Sequence, residues 1–370
     1  MIESWEIKKF TNCLQKVRNT TKITKKQFLN TGLYPVISQE ASFINGYWDN
    51  KEDLLQIEKP VVIFGDHTKV IKYVDFSFVR GADGVKVLLP IEEINSKFFS
   101  YQIQSIKLRD LGYARHYRLL KEEMISIPPL NEQKEIVSIL DDAFASIDKA
   151  KANIERNIEN AKELFQSKLN EIFSQTGEGW EKKILKSVAR YDKSKYIGFD
   201  RPFVGLEHIE SNTGSHIGSL DPVSVKSSTF QFDQRHVLYG RLRPYLNKVY
   251  VPLFEGHCST EIFPILPNEE LNREFLFYWL ITPDTVSKID STWTGARMPR
   301  ANMNEVINFT LPVPDIDTQA KTVKALNRFK IQYQKIINSY ESQLKNIDEL
   351  RKSILQKAFS GELTNKSVAA

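Results

Sequence analysis

An internal repeat limits the folds open to this chain more than any other feature. Trp5-Glu6 recurs as Trp180-Glu181, and Gly65 after Val61–Phe64 recurs as Gly240 after His236–Tyr239, both 175 residues later. Further on, Ala114-Arg115 pairs with Ala296-Arg297 at an offset of 182, and Gln133 with Gln319 at 186. The 186 offset then holds for Asn160/Asn346, Leu164/Leu350, Ser167/Ser353, Leu169/Leu355, Phe173/Phe359 and Ser174/Ser360. Ordered matches at a settled offset indicate a duplication, with about eleven residues inserted in the second copy.

Each copy has two parts of different character. The first is rich in Phe, Tyr, Val, Ile and Gly, with strand-like runs at 60–64, 70–74, 85–89, 236–239 and 248–253. Short helices are expected at 95–106 and 272–281. The second part is a long helix, because 131–175 and 315–360 contain neither Gly nor Pro. Pro128-Pro129 and Pro312/Pro314 mark its entry, Asn131 and Asp317-Thr318 are the expected caps, and Gly177/Gly179 and Gly361 its ends.

Apolar or small residues at Ile136, Leu140, Ala143, Ile147, Ala150, Ile154, Ala161 and Leu164 alternate mostly three and four apart. The second helix offers Val323, Leu326, Tyr333, Ile336/Ile337, Tyr340, Leu344, Ile347, Leu350 and Ile354. Both read as coiled-coil seams. Residues 128–179 carry 6 Lys/Arg against 10 Asp/Glu, and residues 312–370 carry 10 against 6, so the helices suit each other as partners. The expected fold is α+β: two mixed α/β globules separated by two long antiparallel coiled-coil helices. Its divisions fall at 1–127, 128–179, 180–311 and 312–370. Some 44 residues per helix would make a rod of roughly 65 Å.

Chemistry-bearing motifs are missing. No Gly-rich loop ends in Gly-Lys-Ser/Thr, no G-x-G-x-x-G follows a strand, and no G-x-S-x-G elbow is present. The six histidines are scattered singly, and Cys13 and Cys258 are the only cysteines. That usage points to a reducing cytoplasm and away from disulfides or a zinc site. No segment has the roughly 20 apolar residues of a membrane helix. A non-catalytic chain that needs no metal or cofactor of its own is expected.

Charge distribution suggests nucleic acid. Between Glu6 and Glu40 lie Lys8, Lys9, Lys16, Arg18, Lys22, Lys25 and Lys26 with no acid among them. Such a run fits a phosphate-facing surface, although a solvated face would look the same. The first globule adds His67, Thr68, Lys69, Lys72, Arg80, Arg115, His116, Tyr117 and Arg118; the second adds Arg241, Arg243, Tyr245, Asn247, Lys248, Thr294, Arg297, Arg300 and Asn302. Arginine can grip phosphate or read guanine, and Asn can read adenine. Competing structural roles exist: Arg115 and Arg297 could brace globule against helix, and Tyr245 could be core. Asp66-His67 invites an acid–base reading, but its repeat equivalent Arg241-Leu242 lacks both groups.

The segments WEIKKF and WEKKIL, FGDHTKVIKYVDFSFVRGADGVKVL, VGLEHIESNTG and VLYGRLRPYLNKV together resemble the specificity subunits of type I restriction–modification systems. So do IPPLNEQKEIVSIL, LPVPDIDTQAK and the closing LRKSILQKAFSGELT. The resemblance spans nearly the whole chain; DTQ in the second helix entry departs from the more usual NEQ. It implies two target recognition domains, each reading half of a bipartite asymmetric site in double-stranded DNA. It implies helices that set the gap and seat two methyltransferase subunits, with a restriction/translocase subunit joining them. S-adenosylmethionine, ATP and Mg2+ would then belong to those partners. At about 3.4 Å per base pair, a rod of that length bounds the gap at fewer than roughly 20 base pairs. A specificity module of a type II-like or methylation-only system, and a coiled-coil scaffold that binds proteins, stay open as alternatives.

Overall fold

The computed structural model describes residues 5–82, 84–175, 179–198, 200–295 and 297–363. Gly177 and Ala296, which figured in the sequence reading, lie outside them. The chain forms two compact units, residues 1–154 with 342–370, and residues 155–341. Both long helices, Leu130–Phe173 and Ile316–Phe359, contribute a segment to each unit.

In the first unit, the buried strand Val61–Gly65 lies between Val85–Pro90 and Ile71–Val74, with Leu14–Gln15 at the edge. A second sheet joins Lys22–Ile23, Phe78–Gly81, Tyr34–Ile37 and Gly46–Trp48, with Leu54–Leu55 also pairing Phe78–Gly81. Glu6–Lys9 pairs antiparallel with Met124–Ile127, just before the first long helix. The second unit repeats this plan. Val237–Gly240 lies between Ile262–Pro267 and Val249–Tyr250, with Ala189–Tyr191 at the edge. Trp180–Ile184 pairs with Thr310–Pro314. Its remaining sheet is smaller: Phe203–Val204, Gly256–Ser259 and Thr229–Phe232.

One glutamine fastens each helix start to its globule. Fully buried Gln133 donates through Nε2 to the Glu93 and Pro128 carbonyls, both at 2.8 Å, and accepts the Asn95 amide at 2.8 Å. Gln319 does the same with Glu270, Pro314 and Asn272, all at 2.8 Å. Asn95 and Asn272 are themselves N-caps: their Oδ1 atoms accept amides at the starts of Ser96–Ser105 and Arg273–Leu280. The two expected short helices are therefore present, and the glutamine ties each to the long helix that follows.

The expected caps need correction. The first long helix already includes Asn131, and the second is capped by Asp315 rather than Asp317. Asp315 Oδ1 accepts the Thr318 amide at 2.9 Å. A carboxylate two residues earlier reaches that amide as an N-cap should. Gly361, at φ 79°, ends the second helix, and the Glu362 amide returns to the Lys357 carbonyl in a Schellman-type closure.

The seam also shifts. Leu164 is 61% exposed, and Ile336 and Leu350 are exposed too. In the second unit Phe165 takes the buried place, stacked on Tyr333 (4.8 Å) and Phe329 (5.6 Å). In the first unit the helix segments run antiparallel: Asp148 pairs with Arg351 at 2.9 Å, and Lys151 with Asp348 at 3.3 Å. One ion pair points each way, so net charge of the helices does not dictate the individual pairs. Arg351 also lies over the Phe144 ring at 4.0 Å, which gives that pair an apolar footing.

Candidate nucleic-acid interface

The two sequence-predicted loops hang on one backbone frame. After Gly65, the Asp66 amide donates to the Gly84 carbonyl (2.6 Å) and the Asp66 carbonyl accepts the His116 amide (2.8 Å). After Gly240, the Arg241 amide donates to Glu261 (3.0 Å) and the Arg241 carbonyl accepts Ala301 (2.9 Å). Both corners are tight: a Cβ on Gly240 would lie 2.6 Å from the Leu206 side chain, and one on Gly65 would collide with Thr68 Oγ1, so a neighbouring side chain would have to shift.

This frame equates His116 with Ala301, and hence Arg115 with Arg300. The pairing of Arg115 with Arg297 read from the sequence is thereby corrected. The cause is an extra helix, Pro283–Ser291, which only the second copy carries and which supplies most of the inserted length.

In the first unit, His67 stacks on Tyr113 with ring centroids 4.8 Å apart, and Tyr113 is 86% exposed. Gln39 accepts the His67 amide on Oε1, and its carbonyl accepts Thr68 Oγ1 at 2.6 Å. Lys69, at φ 59°, faces Asp110 at 3.4 Å. Arg115 is exposed, and Tyr117 is half-buried. His116 is 0% exposed; its ring accepts the Leu111 amide at 3.1 Å and lies 3.1 Å from the Asp66 carbonyl. A side chain so enclosed braces the loop and does not reach solvent, which corrects its expected role as a DNA contact. Asp66 is buried as well, with Oδ1 accepting the Tyr117 amide at 2.8 Å and Oδ2 3.5 Å from Lys86.

Lys72 is a second correction. It is 4% exposed, and its Nζ donates to the Ser38, Ser42 and Phe43 carbonyls and to Asn45 Oδ1. Burial pushes this ammonium down to about 8. Lys72 thus holds the 38–45 loop, and through Gln39 that loop holds His67 and Thr68. Lys22, Lys25 and Lys26 are exposed, Lys25 lying 3.8 Å from Glu40. Lys22 is in register with Arg80 on the neighbouring strand. Arg80 is only 8% exposed, burial lowers its pKa, and its Nε finds no hydrogen-bond partner among the described residues.

In the second unit, backbone bonds tie the 241–248 and 294–301 loops together: Arg243 to Pro299 at 2.7 Å, Ala301 to Arg241, and Thr294 reciprocally with Arg300. Arg243 and Asn247 sit in the left-handed region, at φ 51° and 45°, bracketing the turn Pro244–Leu246. That conformation costs energy for a residue with a Cβ and recurs at functional sites. It leaves Arg243 and Tyr245 exposed. Tyr245 is therefore not a core residue, whereas Asn247 is buried.

Arg241 and Arg300 converge on one carboxylate. Arg241 Nε donates to Glu261 Oε2 at 3.0 Å, and Arg300 Nε donates to Glu261 Oε1 at 3.0 Å. Arg241 also lies over the Phe263 ring at 5.5 Å. Burial raises the Glu261 pKa, but hydrogen bonds from Arg300 and the Arg241 charge bring it below its ordinary value. Lys248 turns away and donates to the Leu206 carbonyl at 2.7 Å, bracing another loop. Arg297 is exposed. The structure thus gathers Arg241, Arg243, Tyr245, Arg297 and Arg300 into one loop cluster. Sequence reading missed Glu261, Gln39 and Tyr113. Glu261 had no signal of its own, since its partners lie 20 and 39 residues away.

Two loop clusters carrying basic and aromatic side chains on one repeated backbone frame are therefore the candidate interface. A family model, the type I restriction modification DNA specificity domain, matches residues 2–160 and again 163–346. The chain belongs to that family. It is 27% identical over 280 residues to the EcoDI specificity subunit of Escherichia coli, a match covering 65% of this chain and 62% of that relative. This chain thus spans less than two thirds of that relative's length. Against the Escherichia coli EcoBI specificity subunit, identity is 22% over 372 residues, covering 86% of this chain and 75% of the relative. The fold is similar to a chain from a structure of complex assembly in a type I R-M system (TM-score 0.72, 15% identity, 96% of this chain and 98% of that one). It is also similar to the HsdS subunit from Thermoanaerobacter tengcongensis (TM-score 0.55, 17% identity, 97% of each chain). Among the described residues, no helix is long and apolar enough to cross a membrane.

Proposed function

We propose that this chain is the DNA-specificity subunit of a type I restriction–modification complex, with each loop cluster reading one half of a bipartite asymmetric site. The observation that carries the reading is one backbone frame used twice with different side chains: His67, Thr68 and Lys69 on one, Arg241, Arg243 and Tyr245 on the other. A frame kept constant while its exposed chemistry varies suits two readers of different sequences. The chain itself is non-catalytic in this reading. Two methyltransferase subunits supply S-adenosylmethionine chemistry and flip the target adenine. A restriction/translocase subunit uses ATP and Mg2+, and the assembly works in the cytoplasm on double-stranded DNA.

Methylome sequencing of cells with and without this gene tests the reading, and a bipartite adenine-methylated motif should depend on it. Exchanging residues 1–127 for those of another family member should change one half of that motif. Changes in both halves would overturn modular reading.

A further inference from the structure

Glu261 has no part in the motifs that mark the recognition loops, yet it organises the second cluster. It is three-quarters buried, its two oxygens are taken by Arg241 and Arg300, and it stands just before Ile262, the partner of Gly240 at the strand end. A carboxylate at the centre of a surface meant to meet polyanionic DNA works against affinity. Its geometry, however, fixes two guanidinium planes, with Arg241 further held over Phe263. Arg243 and Arg297, carried by the same two loops, are exposed.

Resting on the function proposed above, we propose that Glu261 is a positioning residue for specificity. It withholds Arg241 and Arg300 from phosphates and so leaves discrimination to Arg243, Tyr245 and Arg297. It trades non-specific grip for selectivity. The first unit has no counterpart, because Gly84 stands at the matching place in the frame.

The signature is opposite to that of a purely structural residue, whose loss weakens all binding. Binding of the full-length chain is measured across a salt series on two probes: a random-sequence duplex, and a duplex pool selected by the wild-type chain. For Glu261→Gln, the freed arginines should reach phosphates, at about 0.9 of salt slope per contact, so the slope on random duplex steepens by about 1 to 2. Preference for the selected pool should fall about tenfold, the lower end of what one bidentate contact contributes. An unchanged or shallower slope with preference retained would overturn the proposal.

Arg300→Gln gives an independent decision should Glu261→Gln fail to fold. It should lower preference and leave the slope unaltered, whereas a slope reduced by about 1 would make Arg300 a phosphate contact and sink the idea. If the wild-type chain shows no salt-dependent duplex binding, the functional reading falls first, and this inference with it.

Discussion

The loop after Gly65 and the loop after Gly240 share their backbone bonds and differ in their electrostatics. In the first, a buried acid, Asp66, accepts a backbone amide and faces Lys86. In the second, the matching residue is Arg241, half-exposed and paired with an acid from the opposite strand. The first loop is held from inside by the buried groups His116, Asp66 and Lys72. The second is held near its surface by the ion cluster of Arg241, Arg300 and Glu261 and by backbone bonds between its two loops. A duplicated frame can thus keep its geometry while the means of holding it, and the chemistry it displays, diverge.

The largest expected effect tests the shared part. Gln133→Ala and Gln319→Ala should each destabilise by about 3 kcal/mol, since each strands two carbonyls and one amide in a buried place. Denaturant melts of the full chain should give similar losses for both. A gap above about 1 kcal/mol would break the equivalence of the two frames.

Next in size is the divergent part. Asp66→Ala should cost about 2 kcal/mol, because the Tyr117 amide loses its acceptor inside the protein. Arg241→Ala should cost less than about 1 kcal/mol, as a partly exposed pair contributes little to stability. Equal costs would mean that the two loops are held alike.

Smaller still is the expected stability change on Arg80→Met, which replaces a buried cation lacking an Nε partner by an apolar side chain of similar length. Stability should be unchanged or rise by up to about 1 kcal/mol, and duplex affinity should hold, since so buried a side chain offers a phosphate little surface. Loss of stability together with affinity would assign Arg80 a structural role.

Much of the scaffold was legible because local chemistry announces it. A β-like run closed by Gly65 or Gly240, and a long stretch free of Gly and Pro after each Pro-rich entry, are signals that need no tertiary contact to be read. The site was legible in outline only. His116 and Lys72 look like surface groups in sequence, and only tertiary packing encloses them. Glu261 depends on three segments meeting. The Arg115 pairing slipped because drift in the repeat offset hid a whole inserted helix, Pro283–Ser291.

A further test concerns pH, and it separates the two loops by window rather than by direction. Lys72 titrates at about 8 when folded, against about 10.4 for an unperturbed lysine. Between those values the unfolded chain binds more protons, so stability rises with pH across that alkaline interval. Glu261 is held below its ordinary value despite its burial, chiefly by Arg300 and Arg241. Its contribution is therefore present above the ordinary glutamate range and is lost as pH falls through the folded value. Urea-melt midpoints should show this as differences from variants. Wild type minus Lys72→Met should climb between about pH 8 and 10 and be flat in acid, while wild type minus Glu261→Gln should fall only in acid. If both differences move in the same window, the two loops are not held by the groups assigned to them.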